Sequence, residues 1–144
     1  MLRSHAPVQP GPHALTLNEK LALGGEILLA YAPALHRMRR SDVRTMAEWA
    51  RDCRAWHAPL PAHDVRRTAI RLGRIVQRVL AVLPTDSRCL VTSLVLARLL
   101  ARRRVDHALV IGVRPGQSFG AHAWVEHAGR PVLPTGGFER LLEL

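Results

Sequence analysis

The strongest constraint on the fold is the stretch CLVTSLVLARLLARRR, residues 89–104. Apolar residues occupy almost every side of the helix that this stretch would form, so the helix should be buried on most sides. Asp86 can cap it, and we expect it to run from Ser87 to about Arg103. The arginines at its C-terminal end lie where the helix dipole favours cations. The sequence therefore predicts a core helix with other elements packed around it.

Three further helices are predicted before the core helix. Their predicted bounds are Thr16 to about Tyr31, Ser41 to about Arg54, and His63 or Asp64 to about Leu83. The first opens with the capping-box pattern of Thr16 and Glu19 and should end before Pro33. The second is amphipathic and carries Cys53 on its apolar stripe, so Cys53 is interpreted as a packing residue.

The third helix has one apolar side and one basic side. The basic side is formed by Arg67, Arg71, Arg74 and Arg78 at helical spacing. A row of this kind is most simply a solvated face. The alternative is a docking surface for an acidic peptide or protein.

Short strands follow the core helix. Residues 108–113 are continuously apolar, as in a buried strand, and residues 119–127 alternate. Ala128-Gly129 predicts a tight turn into a third strand over 130–135, which Pro131 places at a sheet edge. Helices followed by an antiparallel meander define an α+β fold.

Length and composition indicate one globular domain. The chain has 144 residues, with a proline-containing tail over 1–14 and a domain over 15–144. Within that domain we expect a helical part over 15–83 and the cysteine helix and sheet over 84–144.

The charge balance, 21 Lys+Arg against 11 Asp+Glu, first suggests nucleic-acid binding. Nearly all the cations are arginines in an Ala- and Leu-rich chain, and aromatic residues make up only 4%, so nucleic acid is not expected as a partner. The apolar stretch 21–35 is too short and too interrupted to span a bilayer. The N-terminus has no signal-peptide pattern, so we expect a cytoplasmic protein.

Cys89 is the better nucleophile candidate of the two cysteines. With Asp86 as N-cap, Cys89 is the third helical residue, close to free amides and the positive end of the helix dipole, which stabilise a thiolate. Arg88 adds positive charge. The alternative is a small buried residue at the start of a core helix. No CxxC pattern points to a metal site or a redox pair.

A thiolate nucleophile needs a proton acceptor, which is usually histidine. Among eight histidines, His122 shares a predicted strand face with Trp124 and Glu126. The alternative for His122 is a histidine on a surface face.

The segments CLVTSLVLARLLARRRVDHALVIGV and FGAHAWVEHAGRPV together resemble the leader peptidases of lasso peptide biosynthesis, which are transglutaminase-like, papain-related cysteine peptidases. The opening LTLNEKLALGGEILLAYAPAL is similar to the front of these proteins, so the resemblance covers about residues 15–144. It implies that Cys89 and His122 are catalytic, on a central helix and on the sheet that packs against it. The implied substrate is the leader of a precursor peptide, and the implied partners are a separate leader-binding protein and a lasso cyclase. No cofactor is expected for the thiol chemistry, and ATP dependence stays open.

The sequence departs from this family where an acidic residue usually orients the histidine. A two-residue turn at 128–129 would place Thr135 opposite His122, and a loop differing by one residue would place Pro134 or Gly136 there. Thr135 is thus the possible orienting group. Two alternatives to the peptidase remain: another acyl transfer on the same fold, and a non-catalytic peptide-binding or scaffold protein.

Overall fold

The computed structural model of the chain describes residues 14–84, 88–116 and 120–144. Within these residues, helices precede an antiparallel sheet, which confirms the predicted α+β class. The elements are α1 (Leu17–Met38), α2 (Val43–Arg51), α3 (Ala62–Leu80), α4 (Arg88–Arg102), β1 (Ala108–Arg114), β2 (Gly120–His127), β3 (Arg130–Pro131) and β4 (Glu139–Glu143). None of the described helices is long and apolar enough to cross a membrane.

Helix α4 lies at the centre of the core, as predicted. From Val91 to Leu100 every residue except Arg98 is buried. Helices α1, α2 and α3 pack against α4, and the sheet contacts it mainly through β2. Burial of this aliphatic surface is the main stabilising contribution to the fold. The predicted cap, Asp86, lies outside the described residues.

Helix α1 begins as predicted and ends later. The Thr16 hydroxyl accepts a hydrogen bond from the Glu19 amide, and the Glu19 carboxylate accepts one from the Thr16 amide, so the capping box is confirmed. The helix continues through Pro33 to Met38, and the predicted end at Tyr31 is wrong. Residues Ala30 and Ala34 on either side of the proline are fully buried. Their packing outweighs the hydrogen bond that proline removes, a cost of about 3 kcal/mol.

The next two helices also differ at their ends. The second helix was predicted to begin at Ser41, but the N-cap of α2 is Asp42, whose carboxylate accepts from the Thr45 amide. Helix α2 ends at Arg51, before the predicted Arg54. Helix α3 starts one residue before His63 and ends at Leu80.

The sheet has the strand order β3-β2-β1-β4. Strands β1 and β2 pair as neighbours, with Val110 opposite Trp124 and Gly112 opposite His122. Strand β4 pairs with the other side of β1 and was not predicted. The segment between β3 and β4 must therefore cross the sheet, and this crossing determines the surroundings of His122.

Candidate active site

A cavity of about 470 Å³ opens where the end of α3, the first turn of α4 and β2 meet. Its described lining residues are Gln77 from α3 and Ala81 at the C-cap of that helix, Arg88, Cys89, Thr92, Ser93 and Leu96 from α4, His122, Ala123, Trp124 and Val125 from β2, and Leu133 and Pro134 from the crossing segment. Two predicted site residues, Cys89 and His122, thus contribute to one cavity. The third, Thr135, is not among these lining residues.

Cys89 reaches the cavity from the first turn of α4, where it is the second residue of the helix and half-buried. Amides in the first turn have no carbonyl partner within the helix. They favour negative charge, and the thiolate is the nucleophilic form of cysteine. The Arg88 guanidinium donates a 2.7 Å hydrogen bond to the Ala81 carbonyl, which ties the start of α4 to the end of α3.

His122 reaches the cavity from β2, and two aromatic rings hold its imidazole. The ring stacks on Trp124 with centroids 6.0 Å apart and lies against Phe138 with centroids 5.0 Å apart. His122 and Trp124 alternate with the core residue Val125 along β2, and all three line the cavity. Among the described residues, no hydrogen bond joins the Cys89 thiol to the imidazole. The rings, rather than the thiol, therefore set the orientation of His122.

The pKa of His122 lies below its ordinary value of 6.5. Burial is the largest cause, because it disfavours the charged imidazolium, and the positive charge of Arg114 adds to it. The Arg114 guanidinium lies 4.5 Å from the centre of the Phe138 ring and donates to the Gly136 carbonyl. The charge is thus fixed beside the ring that touches His122. A neutral imidazole is the form that can accept a proton.

The hairpin after β2 follows the predicted register only near its turn. His127 pairs with Arg130, as predicted, but β3 ends at Pro131 rather than at residue 135. Proline has no N–H to donate to a neighbouring strand. Two residues later, Leu133 leaves the sheet and packs against Gly73 of α3. The packing of half-buried Leu133 against α3 and the missing donor together explain the short strand.

The predicted pairing of Thr135 with His122 is therefore wrong. After β3 the chain turns through Gly136 and Gly137, at φ of 67° and 79°, a region that favours glycine. This turn places Phe138, rather than Thr135, against the imidazole. Within the described ranges, the Thr135 hydroxyl makes no hydrogen bond.

Trp124 is itself held by a chain of polar contacts. Its indole N–H donates a 2.9 Å hydrogen bond to Glu126, and Glu126 is ion-paired with Arg140 of β4. Gly112 leaves space for the indole, because a Cβ at that position would lie 2.5 Å from the ring. Strand β4 thus acts on His122 through Glu126 and Trp124. The alternation of β2 predicted that His122, Trp124 and Glu126 share one face of the strand. The contact of Glu126 with Arg140 was missed, because β4 was not predicted.

Gln77 lines the cavity and was not identified from the sequence. Two other donors in the lining are engaged: the Ser93 hydroxyl donates to the Ala123 carbonyl at 3.0 Å, and the Trp124 indole donates to Glu126. Gln77 is exposed, and its carboxamide has no hydrogen-bond partner in the part of the chain that the structure describes. It offers two N–H donors to a substrate oxygen. Because Gln77 belongs to the polar side of an amphipathic helix, no sequence pattern distinguishes it.

Cys53 lies away from this cavity. Its half-buried sulfur is 3.9 Å from the Arg98 carbonyl of α4, just beyond the end of α2. Among the described residues, no group of three or more His, Cys, Asp or Glu side chains could hold a metal ion.

A buried helix that begins beside a cavity-lining cysteine, and an antiparallel sheet that contributes a histidine to the same cavity, define the class of fold. A family model described as the transglutaminase-like superfamily matches residues 25–142, and the chain belongs to that superfamily. The superfamily usually comprises cysteine-dependent enzymes. Because the chain belongs to it, a function of the cysteine peptidase or acyltransferase kind is indicated. Comparison with curated proteins and with solved structures gave no significant match.

Proposed function

We propose that the chain is a cysteine peptidase that removes the leader from a lasso peptide precursor. The observation that carries the proposal is the shared cavity of Cys89 and His122 in a chain of the transglutaminase-like superfamily. The motifs around both residues, which resemble the leader peptidases, support the narrower specificity. A separate leader-binding protein would present the precursor, and a cyclase would act on the new N-terminus.

In the proposed reaction, neutral His122 takes the proton of the Cys89 thiol and the thiolate attacks the carbonyl carbon of the last leader residue. The tetrahedral intermediate collapses, the C–N bond breaks, and the imidazolium gives its proton to the departing amine. Water, deprotonated by His122, then hydrolyses the thioester and releases the leader. The lowered pKa of His122 supports this assignment, because the free base is the form that starts the cycle.

Two groups would stabilise the oxyanion of the intermediate. The backbone N–H of Cys89 is in the first turn of α4, where amides typically lack a carbonyl partner within the helix. The Gln77 carboxamide lines the same cavity with free donors. Paired donors aimed at a developing oxyanion are typically worth about 10²–10³-fold in kcat each.

The imidazole would be oriented by Trp124 and Phe138 instead of by a carboxylate. Thiol and imidazole must come within hydrogen-bonding distance for proton transfer, and catalytic hydrogen bonds commonly tighten only when substrate is bound. We propose that substrate entering the cavity brings the two groups together.

Among the described residues, β3 is the only strand that pairs with the outer edge of β2, so the rest of that edge offers a place for an extended peptide. Strand β3 covers only the far end of β2, where the Val132 amide donates to the Val125 carbonyl at 2.9 Å. By ladder alternation, the backbone groups of Ala121 and Ala123 point to the same side as those of Val125. A substrate strand that adds to this edge would run along the cavity.

The test is to incubate the chain with its precursor peptide and the leader-binding protein, with and without ATP, and to follow peptide mass. Release of the intact leader supports the proposal. A product that carries an added amine instead of a cleaved bond would indicate another acyl transfer on the same fold. A precursor peptide that stays covalently unchanged would favour a binding or scaffold role. Cleavage that survives Cys89→Ala would exclude the thiol mechanism.

A further inference from the structure

A second surface, remote from Cys89, has the features of a binding groove. Helices α1 and α3 both pack on α4 but make few contacts with each other. The groove between them contains cavities of about 640 Å³ and 830 Å³. Both are lined by Leu15, Leu23, Arg71 and Ile75, so they adjoin each other along one groove.

The floor of this groove is aliphatic. In the larger cavity it is formed by half-buried Leu23, Ile70, Ile75 and Val79. The wall contributed by α1 includes Leu21 and Leu29, whose surfaces are 65% and 64% exposed. Exposed apolar side chains grouped along a groove and edged by polar residues are typical of an interaction site.

The edge of the groove is strongly basic. We define the basic rim as Lys20, Arg67, Arg74 and Arg78, which are all exposed and line the larger cavity. In the part of the chain that the structure describes, no member of the basic rim forms an ion pair. Like charges one helical turn apart repel each other, so an acidic partner would relieve an unfavourable interaction.

The positive charge of the basic rim limits which molecule can bind in the groove. Residues 1–13 contain no acidic residue, so this chain's own N-terminal segment does not complement the rim. A second copy would bring a net charge of +10 and is opposed by repulsion. Nucleic acid would pair with the rim but would leave the aliphatic floor without a partner. The exposed tryptophan of the groove, Trp56 in the smaller cavity, already has the Arg102 guanidinium 3.6 Å from its ring centre, and no aromatic residue among the described lining of the larger cavity could stack on a base.

We propose that the groove between α1 and α3 binds an amphipathic segment of a partner protein, with aliphatic side chains on one face and carboxylates beside them. The aliphatic face would cover Leu23, Ile70 and Val79, and the carboxylates would pair with the basic rim. This inference does not depend on the chemistry of Cys89.

A designed helical peptide provides the probe, with leucines on one face, flanking glutamates and a fluorescent label. Fluorescence anisotropy with the full chain should show binding that weakens as salt is raised. A peptide of the same composition in scrambled order should bind at least about tenfold more weakly, because it cannot present leucines and glutamates together. The Cys89→Ala variant should bind like the parent, which separates this test from that of the peptidase.

Two pairs of matched variants locate the site. Arg74→Glu/Arg78→Glu should weaken binding about tenfold or more, whereas Arg44→Glu/Arg130→Glu, with the same change of net charge at exposed positions outside the groove, should change it little. Leu21→Gln should weaken binding several-fold, and Leu141→Gln, which is 67% exposed on β4, should not. Circular dichroism checks the fold of each variant.

Equal losses in the groove and control variants would overturn the proposal, since binding would then follow net charge alone. Equal binding of the scrambled peptide would also overturn it. Tighter binding of a single-stranded DNA oligonucleotide or of anionic lipid vesicles, lost in Arg74→Glu/Arg78→Glu, would reassign the surface to those partners. Absence of peptide binding at low salt would remove the proposal altogether.

Discussion

The two sides of the candidate active site are held in place in different ways. Cys89 depends on one helix, because α4 is buried along most of its length from Val91 onward, and Arg88 ties its first turn to the end of α3. His122 depends on side chains from several strands and from the crossing segment: Trp124 and Phe138 touch its ring, and Arg114 lies beside Phe138. A change on the helix side removes a reacting group or a donor. A change on the sheet side alters the orientation or the pKa of the base, so smaller effects are expected there.

The largest effect should come from Cys89→Ala. Loss of the nucleophile should lower kcat by more than about 10⁴-fold, because the remaining groups can only bind substrate and stabilise charge. The matched control is Cys53→Ala, which removes a thiol that lies outside the cavity lining. Leader release measured by mass spectrometry checks both variants. A comparable loss in Cys53→Ala would mean that Cys89 does not carry the chemistry alone.

Gln77→Ala should have the next largest effect. If the carboxamide donates to the oxyanion, kcat should fall about 10²–10³-fold with little change in KM. Val82→Gln is the control, since Val82 is 83% exposed and lies outside the described lining of the cavity. Steady-state kinetics separates the two constants. A rise in KM at unchanged kcat would instead assign Gln77 to substrate binding.

Phe138→Leu tests whether the aromatic contact orients the imidazole. Loss of the ring should lower kcat about 10- to 100-fold, because small displacements of a catalytic group are costly. Phe138→Tyr keeps the ring and should restore most of the rate. The control is Leu141→Gln. Leu141 lies on β4, three residues after Phe138, and is exposed, so this substitution should leave kcat unchanged. Equal rates for Phe138→Leu and the parent would show that Trp124 alone positions His122.

The contrast between the single helix that carries Cys89 and the several segments that position His122 explains which features the sequence predicted. The position of Cys89 in the first turn of a buried helix follows from consecutive residues, so helix periodicity was sufficient to predict it. The capping box of α1 and the turn at 128–129 are also local. Phe138 and Arg140 reach the site only because β4 pairs with β1, across a crossing that no local pattern predicts. Pro33 inside α1 is a similar case, since tertiary burial of Ala30 and Ala34 overrides the local signal.

Substitution of Arg114 tests separately how nearby positive charge affects the pKa of His122. The acidic limb of kcat/KM reports ionisation of the free enzyme's base, so it should lie below pH 6.5. Arg114→Gln removes a positive charge that disfavours the imidazolium. The pKa of His122 should rise and the acidic limb should move to higher pH, while Arg114→Lys should keep it in place. An unchanged acidic limb in Arg114→Gln would contradict a contribution from Arg114 and would leave burial alone as the cause of the lowered pKa of His122.

The smallest effect is expected from Thr135→Asp. A carboxylate within about 4–6 Å of His122 would raise the pKa of the imidazole and move the acidic limb to higher pH. Because the chain turns away after Pro131 and Thr135 is not among the described lining residues, we expect both the limb and kcat/KM to stay unchanged. The informative comparison is the same substitution in Phe138→Leu. If the introduced carboxylate recovers activity there, position 135 reaches His122 once the ring is gone, and the aromatic contact occupies the place of an orienting acid.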